Sequence, residues 1–247
     1  MHQTYLRKYK RLAGSTIQTI VTAISHYYNL HSLENPTDHQ AIKSLLKKYK
    51  KHSCKREQLP ITHKILLKLL AEIESGPIES YYKHAFYIVY YLMYYLALRV
   101  SEISDYSNNF NHAIRLDDVT INHSKEQISI RLVTHKHSTK TTIYDVNCTE
   151  KFFKIFNSYM SMRGTQTGPL MIHKNGKAFT RNFIIKQLKK DLLKSGINAN
   201  LYSSHSFRSG RTTDLAAKGY SDRQLAAMGR WSSHAFLAYI KPSRITI

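Results

Sequence analysis

The chain has 247 residues, enough for one large domain or for one full domain and a small one. Lys and Arg total 37 against 16 Asp and Glu, a formal charge of +21 spread along the sequence rather than gathered in a tail. Nucleic acid is therefore the first partner to consider, and no amphipathic Lys-rich helix of membrane type competes with it. The two cysteines, Cys54 and Cys148, lie far apart and outside any Cys/His cluster, which fits a reducing compartment and leaves out structural zinc. The basic start MHQTYLRKYKRL lacks the apolar core of a signal peptide. We find no internal repeat and no low-complexity linker.

In chain order, residues 15–30 place Ile17, Ile20, Val21, Ile24 and Tyr28 on one helical face behind Ser15 as N-cap. After Asn35 and Pro36, Thr37 or Asp38 is the expected cap of a second helix, which runs into the lysine-rich stretch 43–56. Lys47, Lys48, Lys50 and Lys51 there form either a solvated face or a phosphate-contacting surface. A new unit starts at LPIT (59–62), where Thr62 caps a helix carrying Ile65, Leu66, Leu69, Leu70 and Ile73, closed by Gly76 and Pro77. The apolar run AFYIVYYLMYYLAL at 85–98 is shorter than the ~18 residues of a membrane span and rich in tyrosine, so it reads as part of a buried helix over 80–98. Three short strands follow, at 119–122, 128–133 and 141–146, with THKHSTK as the tip between the last two. Helices are expected at 150–162, at 180–194 and from 206 onward. The architecture implied is mainly α with one small antiparallel β-sheet, an α+β chain.

The chemistry-bearing residues sit late. HSFR at 205–208, GRW at 229–231 and AYI at 238–240 follow one another closely, and LRVSEI at 98–103 supplies an arginine upstream. H-x-x-R alone is not diagnostic, since His112 and Arg115 repeat it in a polar stretch with nothing matching around them. Order and surroundings carry the case: an arginine after an apolar helix, a lysine near a strand pair, His-x-x-Arg, Trp, then Tyr. Together these resemble the tyrosine recombinase (phage integrase) family. The string from His205 to Ile240 looks most like the recombinases of eukaryotic mobile elements of the DIRS and Crypton kind.

The resemblance implies a helical core-binding domain over residues 1–58, short for the family, and a catalytic domain over 59–247, the two clamping a duplex. Metal-free phosphodiester cleavage needs a nucleophile, cations for the non-bridging oxygens and an acid for the leaving 5′ oxygen. The resemblance makes Tyr239 the nucleophile, although it is one of 18 tyrosines. Arg99 and Arg208 would grip the phosphate, their planar forks suiting it better than lysine. Glu102, one turn after Arg99, would pair with it and orient its neighbours. His205 would hydrogen-bond the phosphate or help take the tyrosine proton. Trp231 stands where many members carry a second histidine, with an indole N–H able to donate and a ring able to pack; its spacing to Tyr239 is one residue shorter than in bacterial integrases. The general acid is Lys136 or Lys140, with Lys136 preferred and Lys140 otherwise a DNA contact. His135 and His137 beside Lys136 read as loop residues, since no third metal ligand is evident.

The activity so implied is site-specific DNA strand exchange through a 3′-phosphotyrosine, integrating or excising a mobile or viral element. Four protomers on two double-stranded DNA sites would act together, with no metal, ATP or other cofactor, no membrane and no small-molecule substrate. No Walker-type loop or carboxylate cluster is present to argue otherwise. The setting would be a eukaryotic nucleus, or the cytoplasm of a bacterial or virus-infected cell. Two alternatives stand beside it: a type IB topoisomerase, which uses the same tyrosine and arginines as a monomer, and a domesticated DNA-binding protein without activity, against which the complete Arg-Lys-His-Arg-Trp-Tyr set argues.

Overall fold

The computed structural model describes residues 12–51, 58–105, 113–132, 141–231 and 233–241. The chain divides into two compact units, Met1–Arg56 and Glu57–Ile247. In the first, helix α1 (Gly14–Leu30) buries Ile17 and Val21 and half-buries Ile20, Ile24 and Tyr28, the apolar face read from the sequence. The helix starts before Ser15, with Ala13 as a cap that makes no side-chain bond. Asn35 does the stitching instead of Thr37 or Asp38. Its amide donates to Ser25 and Asn29, and its carbonyl oxygen accepts from the Thr37 backbone and hydroxyl, holding a 3₁₀ turn over Pro36–Asp38. Helix α2 (Gln40–Lys51) follows, and Lys47, Lys48 and Lys50 are exposed along it.

The second unit is organised by its most buried helix. Helix α3 (His63–Ser75) leads into α4 (Ser80–Tyr95), in which all residues from Ala85 to Tyr94 are buried. Burying so many phenols is tolerable only if each hydroxyl finds an acceptor. Tyr81 donates to the Ile172 carbonyl, Tyr90 to Asp191, Tyr91 to the Asn147 carbonyl and Tyr94 to Asp214, at 2.9, 2.8, 2.6 and 2.5 Å. Burial raises the pKa of these phenols, so they remain neutral donors. Among the described residues no helix is long and apolar enough to cross a membrane. The helix stops at Tyr95 rather than 98 because Ala97 turns into the left-handed region at φ 45°, an unusual conformation for a residue with a Cβ.

A four-residue helix α5 (Val100–Ile103) precedes an antiparallel sheet, β1 (Val119–Asn122), β2 (Gln127–Leu132) and β3 (Thr142–Val146), in the order β1-β2-β3. The register pairs Val119 with Ile130, and Ile130 with Tyr144, so Ile128, Ile130 and Leu132 face the core. The connection 133–140, which joins the paired ends Leu132 and Thr142, lies outside the described residues. Helices α6 (Glu150–Arg163) and α7 (Arg181–Lys194) start behind Thr149 and Thr180, whose side chains accept from Phe152 and Phe183 N–H. Helix α8 (His205–Ala217) and α9 (Asp222–Gly229) complete the unit. Tyr239 closes a 3₁₀ helix over His234–Tyr239.

Helix α8 is set in place by backbone proximity. The Ile61 N–H donates to the Ser206 carbonyl at 2.8 Å, and a Cβ on Gly210 would meet the Ile61 carbonyl oxygen at 1.7 Å. Thr62 sits at the N-cap of α3 but makes no side-chain bond; the His63 N–H is satisfied by Asp214 of α8 at 2.7 Å. Asp214 thus ties α8 to the start of α3 and, through Tyr94, to the end of α4.

Candidate functional site

The end of α4 leaves carbonyls without intrahelical donors, and two guanidiniums take them. Arg208 donates to the Ala97 carbonyl at 2.7 Å and to the Gly229 carbonyl; Arg230 donates to Leu96 and Ala97 at 3.0 and 3.3 Å. Arg230 also donates to Glu102 at 2.8 Å, with 3% and 6% of the two side chains exposed. The other Glu102 oxygen accepts from Arg99 at 3.0 Å. Glu102 also accepts from the Arg99 backbone N–H at 2.7 Å, as the third residue of a helix that Arg99 caps. One buried carboxylate therefore holds two arginines, one of them on each side.

Arg208 itself has no carboxylate in hydrogen bond with it among the described residues, and its Nε has no partner. It is 1% exposed. Desolvation first, then the charges of Arg99 and Arg230, lower its pKa to about 9, with Glu102 and Tyr239 acting the other way. It is still a cation at neutral pH. Aromatic faces replace part of its lost hydration: its guanidinium carbon lies 4.1 Å from the Trp231 ring centroid and 5.7 Å from that of Tyr239. The Trp231 and Tyr239 rings are 5.0 Å apart. A desolvated cation beneath a half-buried tyrosine is an arrangement suited to an anion brought to that tyrosine.

Trp231 reaches this position because Gly229 has no side chain and Arg230 turns left-handed at φ 58°. A Cβ on residue 229 would meet the indole Cζ3 at 1.6 Å. Gly229→Ala is therefore expected to cost about 1–3 kcal/mol, seen as a lowered melting temperature. Unchanged melting would show that the ring does not rest there.

His205 is the first residue of α8 and is exposed. Its pKa lies below the ordinary histidine value, first through desolvation and then through Arg181, Arg208 and Arg99. Stability from the neutral ring is therefore present above the unfolded value of about 6.5 and is lost as pH falls through the lower folded value. An NMR titration should place the free protein's His205 midpoint below about 6.5, and a bound phosphate diester should raise it. A midpoint at or above 6.5 without ligand would contradict the cationic surroundings.

Of the residues singled out from sequence, Arg99, Glu102, His205, Arg208, Trp231 and Tyr239 share one locale. Lys136 and Lys140 lie outside the described residues, as do His112, His135 and His137. Arg115, of the second H-x-x-R, caps a 3₁₀ turn and donates its N–H to Asp118. Lys47, Lys48, Lys50 and Lys51 belong to the first unit. Sequence reasoning missed Arg230, although GRW was in view, because its contacts with Leu96, Ala97 and Glu102 cross more than a hundred positions. It also missed Arg181, which opens α7 with no acid in the first turn, against the preference of a helix dipole. That mismatch was a readable signal. Tyr144 of β3 was missed too; its ring lies 5.6 Å from the Arg230 guanidinium and brings the sheet to the site.

Among solved structures, the chain resembles XerA recombinase at 16% identity and TM-score 0.56, covering 98% of this chain and 77% of that one. It resembles the Tn1549 transposon integrase in complex with a circular intermediate DNA at 15% identity and TM-score 0.65, covering 95% and 77%. For a lambda integrase dimer bound to a COC′ core site the values are 11% identity and 0.61, covering 99% and 63%. The fold is thus that of a tyrosine recombinase. Comparison with curated protein sequences gives no match. The model of the phage integrase family matches residues 59–240, and the chain belongs to that family.

Proposed function

We propose that this protein is a DNA strand transferase. The observation that carries the reading is Arg208, a buried cation that no carboxylate among the described residues hydrogen-bonds, set under the rings of Trp231 and Tyr239. The Tyr239 oxygen attacks a scissile phosphate. An O–P bond forms as the bond to the 5′ oxygen breaks, leaving a 3′-phosphotyrosine and a free 5′-hydroxyl. Arg208 and Arg99 stabilise charge on the non-bridging oxygens, with Glu102 orienting Arg99. His205, neutral at pH 7, accepts the phenol proton or hydrogen-bonds the phosphate. The Trp231 indole packs the nucleophile's segment and donates to phosphate. A lysine of the 133–140 connection, Lys136 before Lys140, protonates the departing oxygen. An ammonium suffices, being far more acidic than the alcohol it forms.

The phosphotyrosine conserves the energy of the broken bond, so rejoining requires neither ATP nor metal. Double-stranded DNA as substrate is supported by the charge of +21 and by the DNA held in the Tn1549 and lambda integrase structures. In this reading the first unit, with Lys47, Lys48, Lys50 and Lys51, clamps the duplex. Four protomers join two sites, and the event integrates or excises a mobile or viral element, in the nucleus of a eukaryotic host.

The test is a nicked suicide duplex carrying the element's own ends, incubated in EDTA and resolved on a denaturing gel. A covalent protein–DNA band supports the reading. Salt-sensitive DNA binding with no band on any substrate would replace it by a non-catalytic DNA-binding protein. Relaxation of supercoils by the monomer, with no strand exchange, would replace it by a topoisomerase.

A further inference from the structure

Helix α8 does more than present Arg208. One position and five positions further on, Ser209 and Thr213 stand at i and i+4 on one face, 9% and 0% exposed. Both hydroxyls donate to the backbone carbonyl of Tyr239, Ser209 at 2.6 Å and Thr213 at 3.2 Å. The Thr213 oxygen also accepts from the Lys241 N–H at 3.0 Å. The two hydroxyls thus hold the backbone immediately C-terminal to the Tyr239 side chain, just where the 3₁₀ helix ends. Phe236, buried at 2%, packs with Leu215 and Leu225 and anchors the other end of that short helix.

We infer that Ser209 and Thr213 are positioning residues that dock the Tyr239 segment onto the helix carrying Arg208, fixing the nucleophile against the phosphate-gripping cation within one protomer. The inference rests on the proposed reaction. Its physical basis is rigidity. A 3₁₀ helix of six residues has poor hydrogen-bond geometry of its own and cannot hold a side chain to a fraction of an ångström. Attachment to an α-helix through two partly buried bonds to one carbonyl can. Arg208 and the two hydroxyls share one helix, so these bonds tie the Tyr239 backbone to the element that carries the guanidinium, whose carbon lies 5.7 Å from the Tyr239 ring. The same bonds explain why a segment joined through only a few residues beyond α9 keeps a defined position. Misplacing a reacting group by about 1 Å costs up to ~100-fold in rate.

The variants are Ser209→Ala with Thr213→Val, which remove both donors to the Tyr239 carbonyl and the acceptor of the Lys241 N–H with little change of shape, and Thr213→Ser, which keeps a hydroxyl. Each is assayed for the single-turnover rate of covalent adduct formation, for DNA affinity and for melting temperature. Two suicide duplexes are used, one ordinary and one with a 5′-bridging phosphorothiolate, whose sulfur leaves without an acid. The double variant should form adduct about 10- to 100-fold more slowly on both duplexes, with DNA affinity within about twofold of wild type. Thr213→Ser alone should stay within about threefold. Wild-type rates in the double variant would overturn the inference while leaving the reaction intact. So would a defect that the phosphorothiolate restores, since that would place the fault in leaving-group protonation. If the double variant is unfolded by its melting curve, Thr213→Val alone decides on the same criteria. Wild type forming no adduct on either duplex overturns the proposed reaction, and this inference with it.

Discussion

Tyr239→Phe is expected to abolish the covalent protein–DNA band while leaving the protein folded and bound to DNA. The substitution removes one oxygen and nothing that holds the segment in place. The bonds from Ser209 and Thr213 go to the Tyr239 backbone carbonyl, which phenylalanine retains, and ring contact with Trp231 at 5.0 Å does not need the hydroxyl. Losing the sole nucleophile of a covalent mechanism costs on the order of 10⁴- to 10⁶-fold, below the floor of a gel assay. The core phenols do not substitute, because Tyr90, Tyr91 and Tyr94 are buried and donate to fixed acceptors. A band of wild-type intensity from the Phe variant would remove Tyr239 from the chemistry, whatever its position.

Arg208→Lys should slow adduct formation by about 100- to 1,000-fold, as expected for loss of one preorganised charge-stabilising donor. Lysine keeps the charge but not the fork. Arg208 spends two nitrogens on the Ala97 and Gly229 carbonyls and still lies within cation–π distance of Trp231, a geometry that a single ammonium cannot reproduce. Some loss of stability should accompany the change, about 1–3 kcal/mol for the Gly229 carbonyl left without this donor, since Arg230 still reaches that of Ala97. The melting curve and the rate therefore report different things, and the rate must be read at a temperature where the variant is folded. A rate within threefold of wild type, in folded protein, would show that this cation only caps the end of α4.

The elements were largely legible because their signals are local. The strand expected at 128–133 and the apolar face of α1 follow from periodicities of two and 3.6, and the helices expected at 150–162 and 180–194 run over Glu150–Arg163 and Arg181–Lys194. Misreadings fell where a distant partner overrides the local cue. Thr62 does not cap α3 with its side chain, because Asp214, some 150 residues later, does so instead. The buried helix ends at Tyr95, where Ala97 bends so that its carbonyl meets two arginines from the far end of the chain.

By itself the sequence determined that this is a basic, mainly helical chain with one small sheet. It also determined the order Arg99, Glu102, His205, Arg208, Trp231, Tyr239, which carried the family resemblance. Residue identity and spacing are properties of the string, and a family motif is made of both. The tertiary structure alone decided that Glu102 is shared between Arg99 and Arg230, that Arg208 is desolvated beneath two rings, and that the Tyr239 backbone hangs from Ser209 and Thr213. Each of those depends on a distance between residues far apart in the chain. Such distances are set by the packing of α4, α5, α8 and the final 3₁₀ helix, and no local pattern encodes them.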